Sequence, residues 1–353
     1  MGIEELRKEI DRIDLQILNL LNERGRKILE IARLKSRLGK RYYVPEREKF
    51  ILSRLARENC GPISEEGLKT IYREILSVCR NLESPLKVAY LGPEGSFTHL
   101  AAIEKLGSSI ELIQAGDIAE VFRQVEKDEV DLGVVPVENS SEGVVTYTLD
   151  MFVDSPLKIV NEIMLEITHY LASREKDIRR IKKVYSHPQA FGQTRIWMRN
   201  NLPNVKIVEV DSTSEAARLC ALERGSAAIT GKWAAEKYGL SILRSHIEDL
   251  AHNTTRFLIL GKEQARRTGR DKTSVIFSVR DRPGALYRCL SVFAKANINL
   301  TKIESRPSKK KAWDYIFFID LEGHIEEPRI KRALDNLEKF CVYMKILGSY
   351  PRD

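Results

Sequence analysis

The sequence predicts a multidomain chain in which an all-α helical domain, an α/β domain and an α+β domain of ferredoxin-like order follow one another, expected at 1–84, 86–262 and 272–353. Three observations carry this reading. Up to Ser84-Pro85 the apolar residues keep helical spacing, and proline disfavours helix for the residue before it. From Lys87 onward short apolar runs alternate with helical stretches, the grammar of an α/β sheet. Beyond the polar stretch Lys262 to Lys272, which reads as a linker, the elements come in the order βαββαβ.

The first helix sets the character of the helical domain. Apolar residues step through Leu6, Ile10, Ile13, Ile17, Leu20, Ile28, Ile31 and Leu38 at intervals of three or four, and only Gly25 interrupts before Gly39. One helix from about Ile3 to about Leu38 follows, roughly 50 Å long at 1.5 Å per residue. A lone domain rarely covers such a helix, so partner helices are expected at Glu46 to Glu58 and Glu65 to Leu82, together with a second copy of the chain. Arg24 and Lys35 take steps in the same apolar series. At 100° per residue they return to nearly the same face, with a rise of roughly 16 Å, so both can reach toward a small ligand. A buried cation is costly unless acids or an anion neutralise it. An internal salt bridge or snorkelling side chains would also account for the pattern. Arg7 lies about 100° away around the helix and is free to serve a partner's pocket.

In the α/β domain, strands are expected at Val88 to Leu91, Glu111 to Gln114, Asp131 to Val137, Lys183 to Ser186, Val205 to Val210, Ala227 to Thr230 and Arg256 to Leu260, with a helix from Thr98 to Leu106. Four polar clusters sit at strand edges, where open α/β sheets bind ligands. The turn Gly92-Pro93-Glu94-Gly95-Ser96-Phe97-Thr98 delivers Ser96 and Thr98 to a helix start, a place suited to a carboxylate or simply to a helix cap. The others are Glu138-Asn139-Ser140-Ser141-Glu142-Gly143, then Ser186-His187-Pro188-Gln189 running on to Gln193, and Asn253-Thr254-Thr255-Arg256-Phe257. Together they predict a polar cleft for a small anion. In the last domain the strands are expected at Ser274 to Arg280, Asn299 to Ser305, Asp314 to Leu321 and Val342 to Leu347, with helices ending near Ala296 and running from about Glu327 to Phe340.

A net charge of +8 suits anionic partners, but the basic residues are interleaved with acids and no aromatic-studded basic tract marks nucleic-acid binding. Five scattered cysteines lack ligand-like spacing and point to reduced thiols in the cytoplasm. Neither a signal-peptide core nor an apolar run of membrane-spanning length is seen, and six isolated histidines offer no metal motif. No Ser/His/Asp arrangement or phosphate-binding loop is visible, so the chemistry is expected to need no cofactor and to rest on positioning and hydrogen-bond donation.

The segments YLGPEGSFTHLAA, GVVPVENSSEGVV, VYSHPQAFGQ and NTTRF, in that order, resemble prephenate dehydratase. Leu6-Arg7, Glu23-Arg24, Leu34-Lys35 and Arg47-Glu48 resemble chorismate mutase, and Asp281-Arg-Pro-Gly-Ala-Leu286 with Glu304-Ser-Arg-Pro307 resembles a phenylalanine-binding ACT domain. The whole order resembles the bifunctional P-protein family of phenylalanine biosynthesis. The resemblance implies a two-lobed, periplasmic-binding-protein-like fold for the α/β domain and a homo-oligomer, dimer or dimer of dimers. For the mutase it implies that Arg24, Lys35 and Arg47 hold the carboxylates and ether oxygen of chorismate, with Glu48 on its hydroxyl and Arg7 arriving from the other subunit. Cys79 stands where the family often has serine, and Glu83 where a glutamine donor is frequent. For the dehydratase it implies that Thr255 donates to the leaving hydroxyl of prephenate while Asn139, Ser186, Gln189, Gln193 and Arg256 position the substrate, Arg256 by pairing a carboxylate. Ser96, Thr98 and Ser140 are further candidates for that site, and His187 is either a general acid or a structural hydrogen-bonding residue. Thr194 follows Gln193 where the family often has cysteine. Phenylalanine, as feedback inhibitor, is expected against Gly284, Ala285 and Leu286 and against Glu304, Ser305, Arg306 and Pro307. The alternatives are an arogenate-preferring dehydratase of the same fold and a non-catalytic phenylalanine-sensing protein.

Overall fold

The structure, a computed structural model, describes residues 2–38, 43–250, 253–307 and 315–353. It forms two compact units, one made of residues up to Lys87 with Ile103–Glu111, the other of Val88–Ala102 with Leu112–Asp353.

The first unit contains α1 (Ile3–Leu38), α2 (Pro45–Glu58) and α3 (Glu65–Glu83). Glu4 and Glu5 favour the positive end of α1, Pro45 opens α2 at a position that needs no amide donor, and the Ser64 hydroxyl caps α3 by accepting from Gly67 N at 3.1 Å. The chain leaves α3 extended at Ser84, ahead of Pro85. The α1 stripe is not covered within the chain: Leu6, Ile10, Ile13, Ile17 and Leu20 are all exposed, Leu20 by 65%. Residues 103–111 pack on α3, where Glu74 binds Ser108 and Arg73 binds Glu104. Gly107 turns the chain there at φ +79°, and a Cβ would run into Ser77.

The second unit begins with β1 (Lys87–Leu91), α4 (Phe97–Leu106), β2 (Glu111–Ala115), α5 (Ile118–Glu126), β3 (Leu132–Asn139), β4 (Gly143–Val144), α6 (Thr146–Asp154) and β5 (Lys158–Glu166). A second lobe follows, with β6 (Tyr170–Ser173), β7 (Lys183–Ser186), α7 (Pro188–Gln193), α8 (Arg195–Asn201), β8 (Lys206–Glu209), α9 (Thr213–Leu222), β9 (Ser226–Thr230), α10 (Lys232–Lys237) and β10 (Ser241–Arg244). The chain then returns to the first lobe as β11 (Thr254–Gly261). The first sheet has the order β2-β1-β3-β11-β5 and the second β10-β6-β9-β7-β8. Two crossings between lobes, before β6 and before β11, bring strand ends from both sheets to one hinge.

β5 is absent from the sequence expectation because Asn161 and Glu162 break its apolar run. Both are buried, Glu162 completely.

The βαββαβ order is present as β12 (Asp271–Ser278), α11 (Ala285–Lys295), β13 (Leu300–Pro307), β14 (Tyr315–Glu322), α12 (Pro328–Glu338) and β15 (Tyr343–Pro351), with sheet order β13-β14-β12-β15. Val275, Phe277, Cys289, Phe293, Leu334 and Leu337 form the core between this sheet and its helices. The opposite face supplies Ile276, Phe318, Leu347 and Tyr350 to the same core as Val135, Phe152, Ile159 and Leu258 of the first lobe. The stretch read as a linker is accordingly pinned: the Asp271 carboxylate accepts from Thr268 N and Gly269 N, and His324 Nε2 donates to Ala265 O at 3.0 Å. No helix among the described residues is long and apolar enough to cross a membrane.

Two candidate active sites

In the helical unit, Lys35 Nζ lies 2.9 and 3.1 Å from the two carboxylate oxygens of Glu83, joining the far end of α1 to the end of α3. The Lys35 side chain is 22% exposed and that of Glu83 only 5%. Arg24 is half-buried on α1, and its Nη1 is buried without a hydrogen-bond partner. Such a nitrogen carries the desolvation cost of a cation with no compensating bond, which an anionic ligand would relieve.

Glu48, on α2, is paired instead with Arg80 of α3, a residue the sequence reading missed. Arg80 also donates to Leu106 O, and its guanidinium lies 5.4 Å from the centre of the Tyr43 ring. Burial pushes the Glu48 carboxyl above its ordinary range against the opposing pull of Arg80. Cys79, beside Arg80, is buried. Two expected residues stand apart from this cluster. Arg47 is exposed, with its guanidinium 5.4 Å from the Phe50 ring centre, and Arg7 is exposed and held by Glu4 at 2.7 Å. The sign that could have found Arg80 is its place in the buried stripe of α3 with Leu76 and Cys79.

At the hinge of the α/β domain the end of β3 meets the start of β11, with Asn139 and Thr255 as direct cross-strand partners. Asn139 Nδ2 lies 2.8 Å from Thr255 Oγ1 and 2.8 Å from Asn253 Oδ1. Asn139 Oδ1 accepts from the Ser141 and Glu142 amides, which fixes the orientation of its side-chain amide. Asn253 Nδ2 donates to Gln193 Oε1 at 3.0 Å, and His169 Nε2 donates to that oxygen at 2.6 Å. A chain of neutral amides and one imidazole thus runs from Thr255 across to the second lobe. Ser140 clamps the strand start, donating through its amide to Thr254 O and accepting from Thr254 N at its hydroxyl. His169 was missed by the sequence reading, and its position at a lobe crossing is the available sign; Asn253 lay in a predicted polar cluster without a role of its own.

His169 is 1% exposed, and burial lowers its pKa against the smaller effect of its bond to Gln193, so the ring is neutral. The remaining expected residues have local partners. Ser96 Oγ donates to Leu91 O and caps α4 by accepting from His99 N, and Thr98 is buried in the first turn. Ser186 Oγ is fully buried and donates to Ile229 O. His187 Nδ1 accepts from Gln189 N at 3.2 Å, the cap of α7, while burial lowers its pKa. Across the cleft, Glu94 pairs with Lys237, its carbonyl accepts from Ser214, and Gly95 at φ +82° leaves room for the Trp233 ring.

Arg256 departs from expectation. It does not face the amide chain but points to the other side of β11, where every part of its guanidinium is engaged: Nε with Glu162 at 2.8 Å, Nη1 with Asp320 at 2.6 Å and Nη2 with the Tyr350 hydroxyl at 2.9 Å. Burial would lower its pKa, yet Tyr350, Asp320 and Glu162 carry it above the ordinary arginine value. Each of its three nitrogens thus makes one bond to the protein on that side of the strand, away from Thr255. Successive strand residues face opposite ways, and Thr255 already takes the cleft side.

In the C-terminal domain, Gly284 caps α11 in the left-handed conformation at φ +75°, with Ala285 and Leu286 opening the helix. Glu304, Ser305, Arg306 and Pro307 end β13, the edge strand of the sheet.

Family models match three stretches of the chain: chorismate mutase type II over residues 6–84, prephenate dehydratase over 88–265 and the ACT domain over 273–339. A bifunctional chorismate mutase/prephenate dehydratase of Aquifex aeolicus (strain VF5) is 50% identical, covering 99% of this chain and 98% of that protein. Arogenate dehydratase 2 of Petunia hybrida is 38% identical over 76% of this chain and 73% of its own length. Among solved structures, prephenate dehydratase of Arthrobacter aurescens in complex with L-Phe matches with a TM-score of 0.70 and 35% identity, covering 76% of this chain and 90% of that one.

Because the folded state resists protonating His169, the unfolded chain binds more protons once pH falls below about 6.5, the ordinary histidine value. Stability is therefore full above that value and declines as pH falls toward the lowered pKa. Denaturant midpoints at pH 7.5 and 5.5 should differ less in His169→Gln than in the unaltered protein, and equal differences would contradict the buried neutral ring.

Proposed function

We propose that this chain, which belongs to the family of bifunctional chorismate mutase/prephenate dehydratases, rearranges chorismate in its helical unit, converts prephenate beside Thr255 and is feedback-inhibited by phenylalanine at its C-terminal domain. Both enzymatic activities belong to the chain.

The mutase reading is carried by the unpartnered Arg24 nitrogen in the unit that also holds the Lys35–Glu83 pair. Chorismate is a dianion whose pericyclic rearrangement breaks one C–O bond and forms one C–C bond without a covalent enzyme intermediate. The work of the site is to hold the folded conformer and to place donors where charge grows on the ether oxygen. Arg24 and Lys35 hold the anionic groups, Arg47 turns in from its exposed place against Phe50 to join them, Glu48 takes the substrate hydroxyl with Arg80 aiming it, and Cys79 lines the site. The uncovered stripe of α1 supports a homo-oligomer in which a second copy covers it and brings its own Arg7 to the pocket.

The dehydratase reading is carried by the amide chain on Thr255. In prephenate the electrons of the C–COO⁻ bond enter the ring, carbon dioxide leaves, and the ring hydroxyl departs with a proton as water. Thr255 donates toward that hydroxyl, Asn139 holds the Thr255 hydroxyl, and Asn253, Gln193 and neutral His169 hold the array in register. A threonine hydroxyl is a weak acid, so hydrogen-bond stabilisation of the departing oxygen by fixed neighbours contributes more than full proton transfer. Ser96, Thr98, Ser140 and Gln189 remain candidates for substrate contact, the first two through the start of α4.

Phenylalanine is read at Gly284 to Leu286 and Glu304 to Pro307, where a left-handed glycine opens a helix beside an edge strand suited to pairing with a second copy. Inhibition requires tighter binding to a low-activity arrangement than to the active one. The five free thiols suit a cytoplasmic enzyme. The petunia relative supports a second reading, arogenate as the better substrate, which a direct comparison of kcat/KM for the two substrates decides.

Thr255→Ala should lower dehydratase turnover about 10²–10³-fold while leaving mutase turnover unchanged, and Lys35→Ala should do the reverse. Loss of both activities in either folded variant would contradict independent sites. A side-chain amide at position 83 would offer the ether oxygen a neutral donor where the Glu83 carboxylate would repel the growing charge. Glu83→Gln should therefore keep or raise mutase kcat at saturating chorismate, while Glu83→Ala should lower it about tenfold or more. Equal turnover in both variants would remove residue 83 from the ether oxygen.

A further inference from the structure

β11 gives two successive side chains to two sides of one sheet. Thr255 meets Asn139, while Arg256 is gripped by Glu162 of β5, Asp320 of β14 and Tyr350 of β15. Lys272 completes the set, its ammonium 2.8 Å from both Glu162 oxygens, and Ser274 binds both Asp320 and the Tyr350 hydroxyl. Two cations and two acids balance, all of them buried. We propose that Arg256 is a positioning residue for Thr255, and that through the Arg256 fork the C-terminal sheet sets where β11 presents the Thr255 hydroxyl.

Three features support this. The β3/β11 ladder shifts register between Arg256 and Phe257, so Arg256 faces Glu138 while Phe257 faces Pro136. A bulge re-aims neighbouring side chains and leaves the local ladder less determined, so an outside hold is needed to fix the Thr255–Asn139 pair. The fork also reaches the strand that carries the phenylalanine motif. Asp320 is the cross-strand partner of Lys302 on β13, and Glu304, two residues on, pairs with Phe318. Finally, a cavity of about 20 Å³ bounded by Val137, Arg256, Ser274, Lys302 and Asp320 leaves the grip room to shift by about one water-sized step. A change of the C-terminal sheet on binding phenylalanine would then be felt at Thr255 through a rigid guanidinium.

The inference rests on the reading of Thr255 as donor to the leaving hydroxyl, and the test separates the two. In the full-length protein, Tyr350→Phe removes one hydroxyl from the fork and keeps the packing, Asp320→Asn removes one charge, and a circular dichroism spectrum matching that of the unaltered protein with a cooperative thermal transition reports that each variant is folded. Both variants should lower dehydratase kcat, Asp320→Asn by about tenfold or more, with KM for prephenate within about twofold, and both should leave more residual activity at saturating phenylalanine. If Asp320→Asn does not fold, Tyr350→Phe decides alone, with the smaller loss of kcat in the same direction. Unchanged kcat and unchanged inhibition in the folded variants would overturn the proposal. So would a rise in KM at constant kcat in Arg256→Lys with the other two silent, the signature of a substrate ligand. Full dehydratase turnover in Thr255→Ala would instead sink the donor reading, because that change leaves the fork intact.

Discussion

A guanidinium buried between two sheets must find its acids there, and the placement of Arg256 governs much of the second unit. Its fork draws on β5, β14 and β15, and Lys272 of β12 closes it from the side. Removing one member of such a set leaves an unpaired buried charge, at a cost of about 3–5 kcal/mol. The set does not act as a stability device alone. A hydrophobic replacement would serve stability as well, whereas charged groups with directional bonds fix which strands meet and in what register. The consequence is a C-terminal domain that shares its core with the first lobe rather than hanging from a linker.

The helical unit solves the opposite problem. Its buried charges are paired only in part: Lys35 with Glu83 and Glu48 with Arg80, while Arg24 keeps an idle nitrogen. Incomplete neutralisation is what a site for a dianion requires, since a fully satisfied network has nothing left to offer a ligand. The long α1 stripe is incomplete in the same sense and awaits another apolar surface. Both units thus hold their clustered polar side chains by hydrogen bonds and ion pairs made within the fold.

Much of this was legible in the sequence where one period ruled. The α1 stripe ran without interruption and gave Ile3–Leu38, and the βαββαβ order followed from short strands bounded by turn residues. Arg24 and Lys35 stood out because a cation inside an apolar series needs an acid or an anion beside it: Lys35 has Glu83, while Arg24 Nη1 has no partner. The failures have physical causes too. β5 was hidden because Asn161 and Glu162 broke its pattern, and Glu162 is polar there precisely in order to hold Arg256 and Lys272. The expectation that Arg256 pairs a substrate carboxylate came from the family resemblance, whereas strand alternation sets Arg256 and Thr255 on opposite faces and brings Arg256 to Glu162 and Asp320. His169 acts through a long-range partner, Gln193, which no local pattern reports, and the polar cluster that contains Asn253 gave no sign of its bonds to Asn139 and Gln193.

If the C-terminal domain acts on Thr255 through β11, amide hydrogen exchange of the full-length protein, with and without saturating phenylalanine, should show it. Phenylalanine should change protection not only in β13 and β14 but also in the amides of Thr254 to Phe257 and of Asn139 across the ladder. Changes confined to the C-terminal sheet, with β11 and β3 exchanging at the same rates in both conditions, would contradict it.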